Sequence, residues 1–305
     1  MEGTSFRRRL PTSVRASRSW LRNTAAVLFV TVAVILATCC ARTATQSASP
    51  SKPLEPRQTT LPLTGLKYPT AVAVDNVGTV YVVDGLNHRV LTLAAGSKTQ
   101  RVLPFTGLTF ATGIAVDGAG TVYVTDGNHR VLTLPAGSTG QNELPFTGLE
   151  SVGDVALDTK GNVYVTDPEN NRVVTLPAGS ANQTSLPFTG LNRPSGVAVD
   201  GAGTVYVTDG GNNRVVSLRA GSSAETVLPF TGLRLPIDVV VDNAGTVFVA
   251  DHDNSRVVTL SPGSTTQSVL PFAGLDQPHG VAVDDHGTVY VTDFNNHRVV
   301  ELARR

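Results

Sequence analysis

The chain has 305 residues, with 24 Lys/Arg against 24 Asp/Glu, 29 glycines, one tryptophan and two cysteines. Nine Lys/Arg and two Asp/Glu fall in residues 1–58, leaving fifteen and twenty-two in 59–305, so a head of charge +7 precedes a body of −7. The acidic body excludes the clustered cations of a nucleic-acid partner, and its lack of cysteine excludes disulfides and thiolate chemistry there.

In chain order, residues 1–23 hold Arg7, Arg8, Arg9, Arg15, Arg18 and Arg22 and read as a basic n-region that stays in the cytoplasm. Residues 24–41 are uncharged and mostly apolar, the pattern of a signal peptide or membrane-anchor helix that places everything after it outside. Leu36-Ala37-Thr38-Cys39 resembles a bacterial lipobox, which makes Cys39 the lipidation candidate, although Thr38 departs from the Gly, Ala or Ser usual at that place. A retained anchor is the alternative. Residues 42–58, rich in Ser, Thr, Gln and Pro, lack the apolar surface to fold and predict a flexible linker.

From residue 59 the chain repeats itself. The Asp closing each Tyr/Phe-Val-x-Asp run falls at Asp84, Asp126, Asp167, Asp209, Asp251 and Asp293, spaced 42, 41, 42, 42 and 42 residues apart. An arginine follows each at Arg89, Arg130, Arg172, Arg214, Arg256 and Arg298. Within one unit, the runs at 196–200, 204–209, 214–218 and 226–230 are short and β-branched, and Gly or Asn turns separate them. They predict four antiparallel strands joined by tight hairpins. Apolar residues on both faces of the second strand require cover on both sides, which sheets stacked around an axis supply. The innermost strand repeats a small residue at Ala73, Ala115, Ala156, Ala198 and Ala282, with Val240 the exception. The sixth unit holds only three strands, and Thr59-Thr60-Leu61-Pro62-Leu63 matches the missing outer one. The fold class is therefore all-β, a six-bladed β-propeller over 59–305 whose N-terminal strand closes the last blade.

These residues resemble the NHL repeat family. Its pattern stands here as Pro194-Ser195-Gly196-Val197-Ala198-Val199-Asp200 and Pro278-His279-Gly280-Val281-Ala282-Val283-Asp284. Asn87-His88-Arg89-Val90, Asn128-His129-Arg130-Val131 and Asn296-His297-Arg298-Val299 carry the triplet that names it. The recurrent Leu-Pro-Phe-Thr-Gly-Leu and Ala-Gly-Ser phrases are closer still to the extracellular sensor domain of the mycobacterial receptor Ser/Thr kinase D, and no kinase motif accompanies them. The resemblance implies a sensor-like binding head.

The recurring Asp–Arg pairs are expected to fasten the turn between second and third strands, since catalytic groups need not recur in every blade. His88, His129 and His297 share their slot with Asn171, Asn213 and Ser255, which marks a turn position and not a metal ligand. Asp251-His252-Asp253-Asn254 lacks calcium-loop spacing. Departures from the repeat say more. The slot before the inner strand is Ala71, Gly113, Gly196 or Gly280, but Asp154 and Asp238 in the third and fifth units. Thr112, Ser195 and His279 occupy the position just before it in their own units. Asp154, Asp238, His279, Ser195 and Thr112 are thus the ligand-binding candidates, expected near the mouth of the axial channel. No catalytic residue, metal site or cofactor is assigned. The alternative, implied by propeller lyases and lactonases, is a divalent metal held by Asp154, Asp238 and His279.

The expected function is membrane-tethered, extracytoplasmic binding by a monomer, with a protein, peptide or glycan ligand outside and no nucleic acid. A structural role in the cell envelope is a further alternative.

Overall fold

The computed structural model describes residues 57–303, all within one compact unit spanning Leu54–Arg305. The expected n-region, signal or anchor helix, Cys39 and most of the linker lie outside the described residues. Among the described residues no helix is long and apolar enough to cross a membrane.

Six four-stranded antiparallel sheets follow one another. The first runs Pro69–Val74, Val80–Asp84, Arg89–Leu93 and Arg101–Val102, and the fourth Pro194–Val199, Val205–Asp209, Arg214–Leu218 and Glu225–Val227. The sixth takes Pro278–Val283, Val289–Asp293 and Arg298–Ala303 from the C-terminal end and Arg57–Thr60 from the start of the unit. This is a six-bladed β-propeller. Each blade is too thin to hold a core of its own, so the apolar side chains gather between blades. Six clusters result, one per interface. Between the fourth and fifth blades, for instance, Ala198 and Val215 pack with Val239, Val247, Val249 and Val258. The small residues of the innermost strands lie directly across from an aromatic on the second strand, as in Ala73↔Tyr81 and Ala198↔Tyr206. Val240, the exception, faces Phe248.

The closing strand differs from the expected span of 59–63. The pairing strand is Arg57–Thr60, opposite Ala303 to Val300, with Leu61 adding one amide bond to the Val299 carbonyl at 2.9 Å. Pro62 has no N–H to continue the ladder, and Leu63 turns back to bond the Leu61 carbonyl at 2.8 Å. The propeller therefore starts two residues before 59, and the linker ends two residues sooner. The fourth blade repeats the effect. Its outer strand stops at Val227, because Leu228 makes the last bond to Val215 and Pro229 cannot follow.

A clamp invisible in the strand pattern fixes this seam. Gln58 accepts from the Ala273 amide at 2.6 Å and donates to the Ala273 carbonyl at 3.1 Å, so one side chain imitates a β-ladder rung. Gln100 does the same with Thr64, Gln141 with Thr106, Gln183 with Thr147 and Gln267 with Thr231. The fourth blade has Glu225, which accepts from Thr189 but has no N–H to return. Gln58→Ala should lower stability by about 1 kcal/mol, the net worth of a hydrogen bond or two on an exposed rim. Urea titration of the variant reads this directly.

On the face away from the second-to-third hairpins, the Asp ending each inner strand organises the next turn. Asp200 Oδ1 accepts from the amides of Ala202 and Thr204, and Tyr206 donates its hydroxyl to Oδ2 at 3.2 Å. Burial, then the Asp200 charge, pushes the Tyr206 hydroxyl up in pKa. Phe248 occupies the same slot in the fifth blade, so the fold already tolerates the loss of this hydroxyl once. Tyr206→Phe should destabilise by no more than about 1 kcal/mol, checked by thermal melting.

Candidate functional site at the channel mouth

The recurring Asp–Arg pairs lie on the opposite face from these turns. Each Asp is fully buried and each Arg reaches it through Nε, at 2.7 Å for Asp84–Arg89, 2.9 Å for Asp126–Arg130 and 2.8 Å for Asp167–Arg172. The pairs Asp209–Arg214, Asp251–Arg256 and Asp293–Arg298 close to 2.6 Å. The carboxylate does more than fasten its own hairpin. Asp209 also accepts from Asn212 and from the backbone amide of Asn192, seventeen residues upstream on the connector entering the blade. Burial pushes the Asp126 carboxyl up, yet the Thr109 amide, Arg130, the Thr109 hydroxyl and Asn128 outweigh it and hold the carboxyl below its usual range. These pairs are structural latches joining hairpin to connector.

The shared His/Asn/Ser slot is a left-handed turn position, with φ of 52°, 61°, 53°, 53°, 52° and 54° at His88, His129, Asn171, Asn213, Ser255 and His297. Short polar side chains suit it because they hydrogen-bond locally. Here they bond the next blade's connector: Asn171 accepts from the Arg193 amide, Asn213 from Leu235, Ser255 from Gln277 and His297 from Tyr68. The Asp251–Asn254 stretch is another such hairpin, with Asp251 buried against Arg256 and His252 3.0 Å from Asp253.

The slot before the inner strand is governed by sterics. A Cβ on Gly113 would stand 2.6 Å from the Asp154 Cα, one on Gly196 2.7 Å from the Asp238 Cα, and one on Gly280 2.8 Å from the Ala71 Cα. Such distances are forbidden, so the second, fourth and sixth blades must be glycine there. Only Ala71, Asp154 and Asp238 can present side chains around the axis. The sequence fills two of these three places with carboxyls and one with a methyl.

Both carboxyls bridge to the following blade. Asp154 accepts from the Val197 amide at 3.2 Å, and Asp238 accepts from Val281 at 2.8 Å and from its own neighbour Val239 at 2.7 Å. Both line the same cavity. Burial, then the charge of Asp238, holds Asp154 well above the usual carboxylate range, and burial lifts Asp238 to about 7. Like charges this close cannot both ionise easily, so the pair titrates as a unit.

His279 stands on the same rim. Its Nδ1 hydrogen-bonds the Thr70 carbonyl at 2.7 Å, which makes it the protonated nitrogen, and its ring stacks on Phe294 at 5.4 Å. Burial, then His252 nearby, lowers its pKa to about 4, so the imidazole is neutral at pH 7.

All five candidate residues line one cavity of about 260 Å³, together with Thr70, Ala71, Val152, Pro168, Glu169, Arg193 and Ile237. Their chemistry separates them. The Thr112 hydroxyl lies 2.6 Å from the Gly153 carbonyl and 2.9 Å from that of Val152, and Ser195 lies 3.0 Å from the Pro236 carbonyl. Their hydrogens serve the interblade contact. Asp154, Asp238 and His279 do not form a metal-ligating cluster, and none is found among the described residues. Glu169 and Arg193, which the sequence reading did not single out, guard the rim as a 3.0 Å ion pair.

Residues 191–216, 233–260 and 275–302 match the NHL repeat family. The class that the fold defines is the six-bladed β-propeller, and these three stretches of it are similar to NHL repeats. No curated protein matches the chain by sequence. Solved structures do match its fold. A gluconolactonase from Xanthomonas campestris aligns with TM-score 0.68 and 18% identity over 81% of this chain and 89% of its own. Virginiamycin B lyase from Staphylococcus aureus gives 0.62 and 12% over 82% and 99%, and a chain of the nidogen/laminin complex gives 0.64 and 20% over 71% and 86%.

Proposed function

We propose that this chain is a sensor-like binding propeller, tethered to a membrane and facing outside the cytoplasm, whose ligand enters the channel-mouth cavity. The single observation that carries the binding reading is the cavity itself, formed on one face by apolar walls around a carboxyl pair and a neutral imidazole. Binding is favoured over turnover by how these groups are engaged. The nearby hydroxyls point their hydrogens at carbonyls, His279 bonds Thr70, and among the described residues lining the cavity no nucleophile is paired with a base. The tether rests on the basic-then-apolar order of residues 1–41.

Site-specific photo-crosslinking in the intact envelope tests this. A crosslinker at Glu169 on the cavity rim should capture a ligand, and Ile237→Trp, which fills the cavity, should abolish capture. A crosslinker at Val77, exposed on the other face, should capture nothing. Equal capture from Val77, or capture untouched by Ile237→Trp, would refute the assignment.

A further inference from the structure

Three features of the channel-mouth cavity bear on what it takes, on the premise that it is the binding site. The first is unbalanced charge. The titratable groups facing the cavity are Asp154, Asp238, His279, Glu169 and Arg193. Arg193, the one cation, is already paired with Glu169 at the rim, and His279 is neutral with its Nδ1 hydrogen on Thr70. His252, behind His279, faces Asp253 at 3.0 Å. Nothing in the lining neutralises the two carboxyls, and burial holds both above the usual carboxylate range.

The second is preorganisation. Each carboxyl is held by a backbone amide of the following blade, Asp154 by Val197 and Asp238 by Val281. Gly113 and Gly196 pack against their Cα atoms so closely that a Cβ there would lie 2.6 and 2.7 Å away. The third is shape. Val152, Ile237, Pro168 and Ala71 give the cavity apolar walls above the acids, and 260 Å³ lies just under the range of about 300–1,000 Å³ usual for drug-sized ligands. A short carbon chain with one charged end fits such a space.

We propose that the cavity binds a small alkylammonium ligand, its charged nitrogen held between Asp154 and Asp238 and its carbon chain against Val152 and Ile237. The ammonium takes the place of a proton that burial keeps on the pair, so binding expels that proton to solvent. No covalent bond changes.

Calorimetric titration of the full chain with butylammonium, butanol and butyrate at pH 7 tests the assignment, in phosphate and again in Tris. Butylammonium should bind at least tenfold more tightly than the other two. Its heat should differ between the buffers, because the released proton is taken up by buffers of different ionisation enthalpy. Asp154→Asn with Asp238→Asn should weaken butylammonium at least tenfold. Equal heats in the two buffers would overturn the proposal on the unaltered chain, whether or not the double variant folds. If butanol or butyrate binds as tightly, and Ile237→Trp abolishes it, the cavity remains a binding site and the amine assignment falls. If no probe binds, the amine assignment falls, and capture by the Glu169 crosslinker decides separately whether the cavity is a binding site.

Discussion

A chain that begins at Leu61 should unfold about 10–15 °C below one that begins at Leu54. The segment removed contributes four paired residues, Arg57 to Thr60, to the outer edge of the sixth blade. It also carries the two Gln58 bonds to Ala273 and the Thr59 hydroxyl bond to Glu301 at 2.5 Å. At a net value of about 0.5–0.7 kcal/mol each on an exposed edge, such bonds sum to about 3–5 kcal/mol. For a unit of this size each kcal/mol is worth about 2–4 °C. Loss of the segment also bares the edge of Arg298–Ala303, an open template for pairing with another chain, so the shorter protein should self-associate. Differential scanning calorimetry with light scattering reads both effects. Identical melts for the two chains would show that the ring holds without its borrowed strand.

How far the sequence foretold this architecture depends on whether the cause is local. The blade count is legible because a 42-residue period with Asp and Arg at fixed places recurs six times. The turn role of His88, Asn171 and Ser255 is legible too, since a slot that accepts His, Asn and Ser alike is set by backbone conformation. Closure is legible in the likeness of Thr59–Leu63 to the Leu-Pro-Phe phrases, yet the paired strand begins two residues earlier, at Arg57. The phrase marks where the chain leaves the sheet, because its proline ends the ladder. The glutamine clamp was open to reading, for Gln58, Gln100, Gln141, Gln183 and Gln267 keep the repeat period with Glu225 between. It is hard to recognise because glutamine in a polar rim looks like solvated surface.

The site shows the other side. That Asp154 and Asp238 depart from glycine is plain in the sequence, and the alternation Ala71, Gly113, Asp154, Gly196, Asp238, Gly280 is visible in hindsight. Its reason is not local. It arises where one blade's backbone comes within 2.6–2.8 Å of the place a neighbour's Cβ would occupy. Thr112 and Ser195 were grouped with the acids because they share the rim. Only the interblade bonds reveal that their hydroxyls are engaged. A position alone does not show which groups keep a free valence.

Between pH 5 and 6.5 the stability of the native protein should fall as pH rises, opposite to the usual rise out of acid denaturation. Unfolded aspartates release their protons near 3.8, while the folded pair keeps its protons much higher, with Asp238 lifted to about 7. In this window the folded state holds more protons, so raising the pH favours unfolding. His279 works the other way. Its folded pKa is about 4 against 6.5 unfolded, so its contribution is complete above 6.5 and is lost as pH falls toward 4. Two carboxyls oppose one imidazole, and the carboxyls prevail. An unbalanced proton is worth about 1.4 kcal/mol per pH unit, and partial contact of the pair with cavity water reduces this to a decline of about 1 kcal/mol across the window. Asp126 and Asp158 have lowered folded values, so what they contribute disappears only below 3.8 and leaves this interval flat. Asp154→Asn with Asp238→Asn removes the carboxyl side of the balance, so its stability should rise with pH over the same interval. Adding His279→Gln should then leave almost no slope. Urea unfolding of the three proteins at pH 5 and 6.5 decides it. A native protein that gains stability with pH here, or a double variant with an unchanged slope, would mean that the two carboxyls ionise in the ordinary range and hold no protons at the channel mouth.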